Sequence, residues 1–429
     1  MWPYEVPENW VWVKLGSVIE LISGRDVATS LCNSDGTGIP YILGASNLDS
    51  DGFTVERWIE NPVVVSRCGD VLLSVKGTIG KVYLQEEKEI NISRQIMALR
   101  TLPVVETLFL RDFILHISDM LKEAGNGLIP GISREIILNY ASPLPPLPEQ
   151  HRIVARIESL FAKLDRAKEL AQAALDRFET RKAAILHQAF TGALTAQWRE
   201  KCGVNLDSWA EKALVSVYKF IDYRGKTPIK IDFGIPLVTA KNVKKGYIDY
   251  SISEFISAEE HGQRQSRGTP LKGDILFTTE APLGNVALAD LDNYAVAQRL
   301  ICLQAKNTAE VSNPFVMYYM QTGMFQDKLS EQKTGSTVAG IKAAKLKLLT
   351  ILTPTLPEQQ EIVRLLDSLL EKEQRARELC EDVIGQVDLM KKAILARAFR
   401  GELGTGDVGD ESAVGLLEDV GDHSGWRRI

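Results

Sequence analysis

Features of membrane, secreted and metal-binding proteins are missing from this sequence. No apolar run reaches the roughly 18 residues that a membrane-spanning helix needs. The N-terminus lacks a basic start followed by an apolar stretch, so no secretory signal is predicted. The five cysteines and five histidines are scattered, without CxxC or metal-ligand spacing. We therefore expect a cytoplasmic protein with reduced thiols and no metal site.

Motifs that carry chemistry are incomplete or absent. Asn61-Pro62-Val63 and Asn313-Pro314-Phe315 lack the second proline of the [ND]PP[YF] loop that holds a flipped adenine. Gly225-Lys226-Thr227 resembles the end of a phosphate-binding loop, but Phe220 stands where the first glycine is needed. HExxH and GxSxG do not occur. We predict no catalytic residues.

The net charge of −6 is unevenly distributed along the chain. Residues 404–429 hold six acids against two arginines, so they account for −4 of it. This Gly- and Asp-rich segment has no periodicity and is predicted to be a flexible acidic tail. Because nucleic-acid binding depends on local patches, the global charge does not decide that question.

An internal repeat is the strongest feature of the sequence. Leu147-Pro148-Glu149-Gln150 returns as Leu356-Pro357-Glu358-Gln359, at an offset of 209. Upstream, Gly69-Asp70 matches Gly273-Asp274 at an offset of 204. The repeat indicates a module followed by a long helix, written twice.

Each LPEQ motif is a good helix start, because proline in the first turn costs no hydrogen bond and glutamate favours the positive end of the helix. Apolar residues then follow a 3.5-residue period, interrupted by Arg181 in the first helix and by Glu373 in the second. The predicted seam comprises Ile153, Ile157, Leu160, Leu164, Phe178, Ile185, Ile362, Leu366, Leu369, Val383, Val387 and Ile394. Two equivalent halves related by a pseudo-two-fold axis require these helices to pair antiparallel. The alternative is two amphipathic helices packed on separate cores.

Both modules are predicted to be mixed and strand-rich, which makes the fold α+β. Strands are expected at 39–43, 63–65, 71–75, 82–84, 235–239, 275–279 and 286–288. Helices with aromatic residues on one face, which we interpret as core packing, are expected at 107–124 and 313–332. The predicted domains are 1–146, helix 147–196, 197–355, helix 356–403 and tail 404–429.

Basic and amide side chains concentrate between the strands. Residues 219–247 carry seven bases and two acids within an acidic protein. Such side chains suit phosphates and base edges. The candidate DNA-binding residues are Arg25, Lys76, Lys81, Arg94, Gln95, Asn126, Arg224, Lys226, Lys241, Asn242, Lys244, Lys245, Arg264, Arg267, Lys333 and Lys342.

This doubled pattern resembles the specificity subunits of type I restriction–modification enzymes. The resemblance covers about residues 4–404 and rests on the LPEQ helices that run to Leu194 and Leu403, the Gly-Asp signatures at Gly69 and Gly273, and the openings at Trp10 and Trp209. It implies that each module is a target recognition domain for one half of an asymmetric, bipartite double-stranded DNA site, with the paired helices setting the spacing.

The resemblance also implies partners. Two modification subunits would bind S-adenosylmethionine and methylate adenine, and restriction subunits would translocate DNA. S-adenosylmethionine, ATP and Mg are expected on these partners, with no cofactor in this chain and no membrane association. By analogy, the helix starts at Pro148, Glu149, Gln150, Pro357, Glu358 and Gln359 are expected to dock the modification subunits. Two alternatives stay open: an enzyme acting by itself, and a coiled-coil scaffold for protein partners without DNA specificity.

Overall fold

The structure, a computed structural model, describes residues 4–49, 52–125, 131–225, 227–297, 299–334, 339–418 and 426–427. The chain forms two compact units. Unit 1 comprises Met1–Ala171 and Asp382–Ile429, and unit 2 comprises Gln172–Glu381. The units therefore divide within the two long helices, not at the predicted module boundaries. Within the described ranges, no helix is long and apolar enough to cross a membrane.

The first half of the chain consists of a module of short strands and helices followed by a long helical segment. In chain order the elements are β1 (Val11–Lys14), β2 (Ile19–Ser23), β3 (Ile39–Ile42), β4 (Leu48–Asp49), β5 (Gly52–Phe53), β6 (Trp58–Ile59), β7 (Val65–Arg67), β8 (Val71–Ser74), β9 (Val82–Leu84), β10 (Glu89–Ile92), β11 (Ile96–Thr101), α1 (Thr107–Ala124), α2 (Arg134–Leu138), β12 (Ala141–Leu144), α3 (Leu147–Asp176) and α4 (Phe178–Phe190).

The second half follows a similar order. Its elements are α5 (Ala196–Cys202), β13 (Ala210–Ala213), α6 (Leu214–Val217), β14 (Tyr218–Asp222), β15 (Ile235–Val238), β16 (Phe255–Ile256), α7 (Ala258–Gln263), β17 (Ile275–Thr279), β18 (Leu283–Leu288), β19 (Ala295–Val296), β20 (Leu300–Ala305), α8 (Asn313–Met320), α9 (Gly323–Gln332), α10 (Ala343–Leu348), β21 (Thr350–Thr353), α11 (Leu356–Ala398), α12 (Val414–Glu418) and β22 (Trp426–Arg427).

The two modules share their sheet topology, as the repeat predicts. A sheet of order β2-β11-β8-β9 in the first module has the counterpart β14-β20-β17-β18 in the second. A smaller sheet pairs β3 with β10 in parallel, and its counterpart pairs β15 with β19 in parallel. The predicted strands are present within one residue at their ends, except that 63–65 begins only at Val65 and 286–288 begins at Leu283. Several strands of the sheets, among them β2, β11, β14 and β20, were not predicted. The α+β, two-module fold is thus confirmed.

The aromatic helix faces are buried in the module cores. Phe109 and Phe113 of α1 are about 2% exposed, and Phe315 and Phe325 in the second module are fully buried. The core-packing interpretation is therefore confirmed. The helix predicted over 313–332 is two helices, because the Thr322 hydroxyl accepts a hydrogen bond from the backbone N–H of Phe325 and so starts a new one.

The long helices pair antiparallel within each unit. In unit 1 the Lys391 ammonium lies 2.6 Å from the Asp165 carboxylate, and Lys168 lies 3.6 Å from Asp388. From residue 165 to residue 168 of α3, the contacted residue of α11 moves back from 391 to 388, so the two helices run antiparallel. Eleven of the twelve predicted seam residues are buried or half-buried, and Val383 is 40% exposed. Ile153 and Ile157 lie in the core of the first module, and Ile362 and Leu366 lie in that of the second.

The two interruptions of the seam meet each other in unit 2. The Arg181 guanidinium lies 2.8 Å from the Glu373 carboxylate. Arg181 also donates to the carbonyl of Ala174, next to the break at Arg177 that separates α3 from α4. The first helix is therefore not continuous over 147–196 as predicted, whereas α11 is unbroken.

The tail prediction is wrong for the described part of 404–429. Ala413 and Leu417 are at most 3% exposed and belong to the core of unit 1. The Asp410 carboxylate forms an ion pair with Arg152, and the N–H of Ala413 donates to the carbonyl of Asn9. Sequence periodicity could not reveal this packing, because the segment is short and its contacts lie far away along the chain.

Candidate nucleic-acid interface

Each LPEQ glutamate anchors its helix to a tryptophan of the same unit. In unit 1 the Trp10 indole N–H donates to the Glu149 carboxylate at 2.8 Å. In unit 2 the Trp209 indole donates to Glu358 at 3.1 Å, and Arg199 donates to the same carboxylate at 2.7 Å. Both carboxylates are at most 1% exposed. The tryptophan and the glutamate of each repeat thus form one buried latch.

The adjacent glutamines join the helix start to the module. The Gln150 amide oxygen accepts from the N–H of Glu106, which caps α1, and its amide nitrogen donates to the carbonyls of Val104 and Pro145. Gln359 makes the matching three bonds in unit 2. Both amides have their hydrogen-bonding capacity satisfied inside the protein.

These contacts correct the prediction that the LPEQ side chains dock partner subunits. Glu149, Gln150, Glu358 and Gln359 are buried against their own modules, so they are not available on the surface. Pro148 and Pro357 are exposed at the helix starts.

A polar cleft of about 630 Å³ lies at the strand ends of the second module. Its charged lining residues are Arg224, Glu280, Arg299 and Lys342. Arg224 follows β14, Glu280 follows β17, Arg299 precedes β20, and Lys342 caps α10. Two predicted residues, Arg224 and Lys342, are thus brought together, in a cleft with three cations and one carboxylate.

Arg224 is held in place by an aspartate. The Asp222 carboxylate accepts from Arg224 through both of its oxygens, at 2.8 and 3.0 Å. Burial alone would raise the pKa of Asp222, but the hydrogen bonds from Arg224 outweigh it and keep the pKa below its usual value. The carboxylate therefore stays ionised and fixes the guanidinium at the cleft.

Backbone hydrogen bonds frame the cleft. The N–H of Thr279 donates to the carbonyl of Arg299 at 2.8 Å, and the N–H of Ile341 donates to the carbonyl of Thr279 at 2.9 Å. Glu280 and Gly340 form a β-bridge beside them. Three segments distant in sequence are thereby tied together at this point.

The first module has the same frame with different side chains. The N–H of Val75 donates to the carbonyl of Gln95 at 2.8 Å, and the N–H of Ile132 donates to the carbonyl of Val75 at 2.9 Å. Lys76 and Gly131 form the matching β-bridge. Lys76 therefore occupies the place of Glu280, and Gln95 the place of Arg299. Arg25 follows β2, as Arg224 follows β14, and is exposed.

Other predicted cations lie on the surface and are not among the residues that line the cleft. The turn of Lys241, Lys244 and Lys245 follows β15, and the Lys244 ammonium donates to the carbonyl of Lys241 at 2.8 Å. Arg267 is exposed and donates to the carbonyl of Asp222 at 2.7 Å, beside Arg224.

The remaining predicted residues near the frames differ in exposure. Lys333 is exposed and directly precedes Thr334 of the cleft lining. Arg94 is exposed and paired with Asp26 at 2.8 Å, and the Lys81 ammonium donates to the carbonyl of Leu48 at 2.6 Å. Asn126 and Lys226 lie outside the described residues.

Two candidate DNA-binding residues are structural instead. Asn242 is 3% exposed, and its side chain bonds Thr239 and the carbonyls of Asp249 and Ile252 within a turn. Arg264 is 7% exposed, with its guanidinium 5.3 Å from the centre of the Tyr223 ring. Their polar character suggested surface contacts, but only the tertiary structure shows that they are turned inward.

Both modules are similar to a domain of known proteins. The family model described as type I restriction modification DNA specificity domain matches residues 7–174 and 208–379. The chain belongs to this family. Its two modules are specificity domains, and the chain is a DNA-recognition subunit, not a catalytic one.

Known relatives and solved structures are similar to this chain along nearly its whole length. The EcoDI specificity subunit of Escherichia coli is 23% identical, over 97% of this chain and 95% of the relative. The MjaVIII specificity subunit of Methanocaldococcus jannaschii is 22% identical, over 93% and 94%. The crystal structure of the HsdS subunit from Thermoanaerobacter tengcongensis has a TM-score of 0.67 at 22% identity, covering 93% of this chain and 99% of that one. A chain from a study of complex assembly and conformational transition of the type I R-M system has a TM-score of 0.69 at 21% identity, covering 93% and 100%.

Sequence reasoning missed several residues of the specificity domains. Glu280 and Arg299 line the cleft, although neither stands out in a basic run; their signal is the offset of 204 from Lys76 and Gln95. Ile229 and Phe233, 76% and 85% exposed, place apolar surface on the loop after β14.

Proposed function

We propose that each specificity domain reads one half of an asymmetric, two-part site in double-stranded DNA. This proposal rests on one observation: both domains have the same frame of backbone hydrogen bonds and a β-bridge, but the side chains on it differ. They are Lys76 and Gln95 in one domain, and Glu280 and Arg299 in the other. A repeated frame gives both domains the same way of approaching DNA. Different side chains on it favour different base pairs.

The paired helices would set the distance between the half-sites. The support is the antiparallel pairing within each unit, made by helices that run from one unit into the other. Inserting seven residues into both helices would lengthen each by about 10 Å, close to three base pairs. An unchanged spacer in the recognised site would refute this role.

The exposed helix faces are proposed to dock the modification subunits. Leu170 and Leu379 occupy the same place in the two helix copies, 209 apart, and are 56% and 65% exposed. Exposed leucines at repeated positions would give two equivalent partner subunits equivalent contact points. Leu379→Glu should reduce co-purification of the modification subunit, while Arg375→Glu, an exposed change on the same helix, should have a smaller effect. Equal retention of the partner by both variants would refute the docking face.

The deciding experiment is methylation mapping. The chain is expressed with its modification subunit in a host free of DNA methylation, and modified adenines are mapped across the genome. We expect a two-part motif with a fixed unspecified gap. A stable complex with an active partner but no modified motif would refute the proposal.

The alternative, a scaffold for proteins alone, predicts a different salt dependence. Phosphate contacts make DNA affinity fall steeply with salt: six to ten contacts lower it by about 10³ to 10⁵ between 50 and 200 mM. A scaffold would show no such dependence. The three cations that line the cleft favour DNA recognition.

A further inference from the structure

We infer that Arg299 and Glu280 are specificity-determining residues that together read a G·C pair, and that Gln95 reads an A·T pair from the matching place in the first domain. This inference rests on the proposed function, because it requires that the framed surfaces face DNA. It goes further by assigning base preferences to single residues.

The backbone puts the two residues of each domain at equivalent points. In each frame the residue before the long strand, Arg299 or Gln95, accepts a backbone hydrogen bond at 2.8 Å from the end of the neighbouring strand. The next residue along that neighbouring strand, Glu280 or Lys76, forms the β-bridge. A difference in what the domains read at this point must therefore come from the side chains.

Arg299 has an unusual backbone for its type. Its φ is +64°, in the left-handed region that side-chain-bearing residues rarely occupy. Such conformations cost free energy and concentrate at functional sites. Here the conformation presents a 55% exposed guanidinium at the cleft, 3.2 Å from the Glu280 carboxylate.

The chemistry of the pair matches one base pair. Arginine donates two parallel hydrogen bonds to O6 and N7 of guanine, and a carboxylate accepts from N4 of cytosine. Gln95 instead has the donor and acceptor that pair with N6 and N7 of adenine. Arg224 is engaged by both oxygens of Asp222, so it suits a positioning contact with phosphate better than reading of a base.

The ion pair itself contributes little to folding. Both side chains are about half exposed, and exposed pairs of this kind stabilise proteins weakly. Substitutions at these positions should therefore change recognition without unfolding the domain.

The test is Arg299→Gln in the complex with the modification subunit, followed by methylation mapping. We expect discrimination between G·C and A·T to fall by about tenfold or more at one position in one half of the motif, with the other half unchanged. The reciprocal variant Gln95→Arg should alter one position in the other half. Lys342→Ala, which removes a cleft cation outside the pair, should lower methylation at all sites alike.

The outcomes separate the inference from the proposed function. If the wild-type complex methylates no two-part DNA motif, the proposed function is refuted. A wild-type motif that Arg299→Gln leaves unchanged, or weakens equally in both halves, overturns the inference alone. If Arg299→Gln does not assemble, Glu280→Gln carries the test: a changed base pair in a single half supports the inference, and an unchanged motif overturns it.

Discussion

Replacing Glu358 by glutamine tests whether the buried latch stabilises unit 2. The carboxylate is 0% exposed and accepts from Thr195, Arg199 and Trp209. Arg199 is itself only 12% exposed, so loss of the charge leaves a buried cation without its counter-ion. Breaking a buried pair from one side costs about 3–5 kcal/mol. Because Arg199 keeps its bonds to Thr195 and the carbonyl of Gly192, we expect about 3 kcal/mol, near the lower end of that range.

Glu149 in unit 1 provides a matched control. Its carboxylate accepts from the neutral donors Trp10 and Thr405, while the nearby Arg152 pairs with Asp410 instead. A glutamine oxygen can still accept the hydrogen bond from the Trp10 indole. Glu149→Gln should therefore lose only the part of the hydrogen-bond energy that comes from the negative charge, and the free energy of unfolding should fall by about 1 kcal/mol.

Hydrogen exchange measured by mass spectrometry reports each unit separately. In the complex with the modification subunit, Glu358→Gln should speed exchange about a hundredfold in β13 and β21, which flank the latch. Glu149→Gln should speed it about fivefold in β1 and β12. Exchange in the Glu358→Gln variant within fivefold of wild type, or equal effects of the two substitutions, would refute the assignment of the larger role to the Arg199 pair.

Three further perturbations follow from the packing. Burial raises the pKa of Asp112 to about 6 and lowers that of His116 to about 4. The folded state thus favours the neutral form of both side chains. As the pH rises, Asp112 therefore lowers the free energy of unfolding between about pH 4 and 6, and His116 raises it between about pH 4 and 6.5. Asp112→Asn removes one contribution, so its free energy of unfolding should rise with pH, whereas that of His116→Phe should fall with pH, each by up to about 3 kcal/mol in denaturant titrations. A free energy of unfolding that is independent of pH in both variants would contradict this. Replacing Arg181 and Glu373 together by methionine and leucine should leave the melting temperature unchanged or higher, whereas Glu373→Leu alone should lower it by a few degrees; a double variant less stable than the single would count against the pairing. Deleting 405–429 should destabilise unit 1 by about 3 kcal/mol or more, seen as faster exchange in β1 and β12, since it removes the buried Leu417; wild-type exchange would show that the packing contributes nothing.

The site was only partly predictable from the sequence. Arg224 and Lys342 were identified because they stand in polar, basic segments, and both line the cleft. Glu280 and Arg299 were not identified, because isolated charged residues are common in any sequence. These two stand out only through their positions on the backbone frame. Asn242 and Arg264 show the converse error, because residue type alone does not tell a surface group from one that is turned inward.

The sequence by itself determined the repeat, the family, the helix starts at Leu147 and Leu356, and the antiparallel seam. These follow from local rules: proline and glutamate at a helix start, a 3.5-residue apolar period, and an unbroken offset between two copies. Only the tertiary structure decided that the LPEQ glutamates form buried latches with tryptophans, that Arg181 meets Glu373, and that the described part of the acidic tail packs into unit 1. Those facts depend on contacts between residues more than a hundred positions apart, which no local pattern encodes.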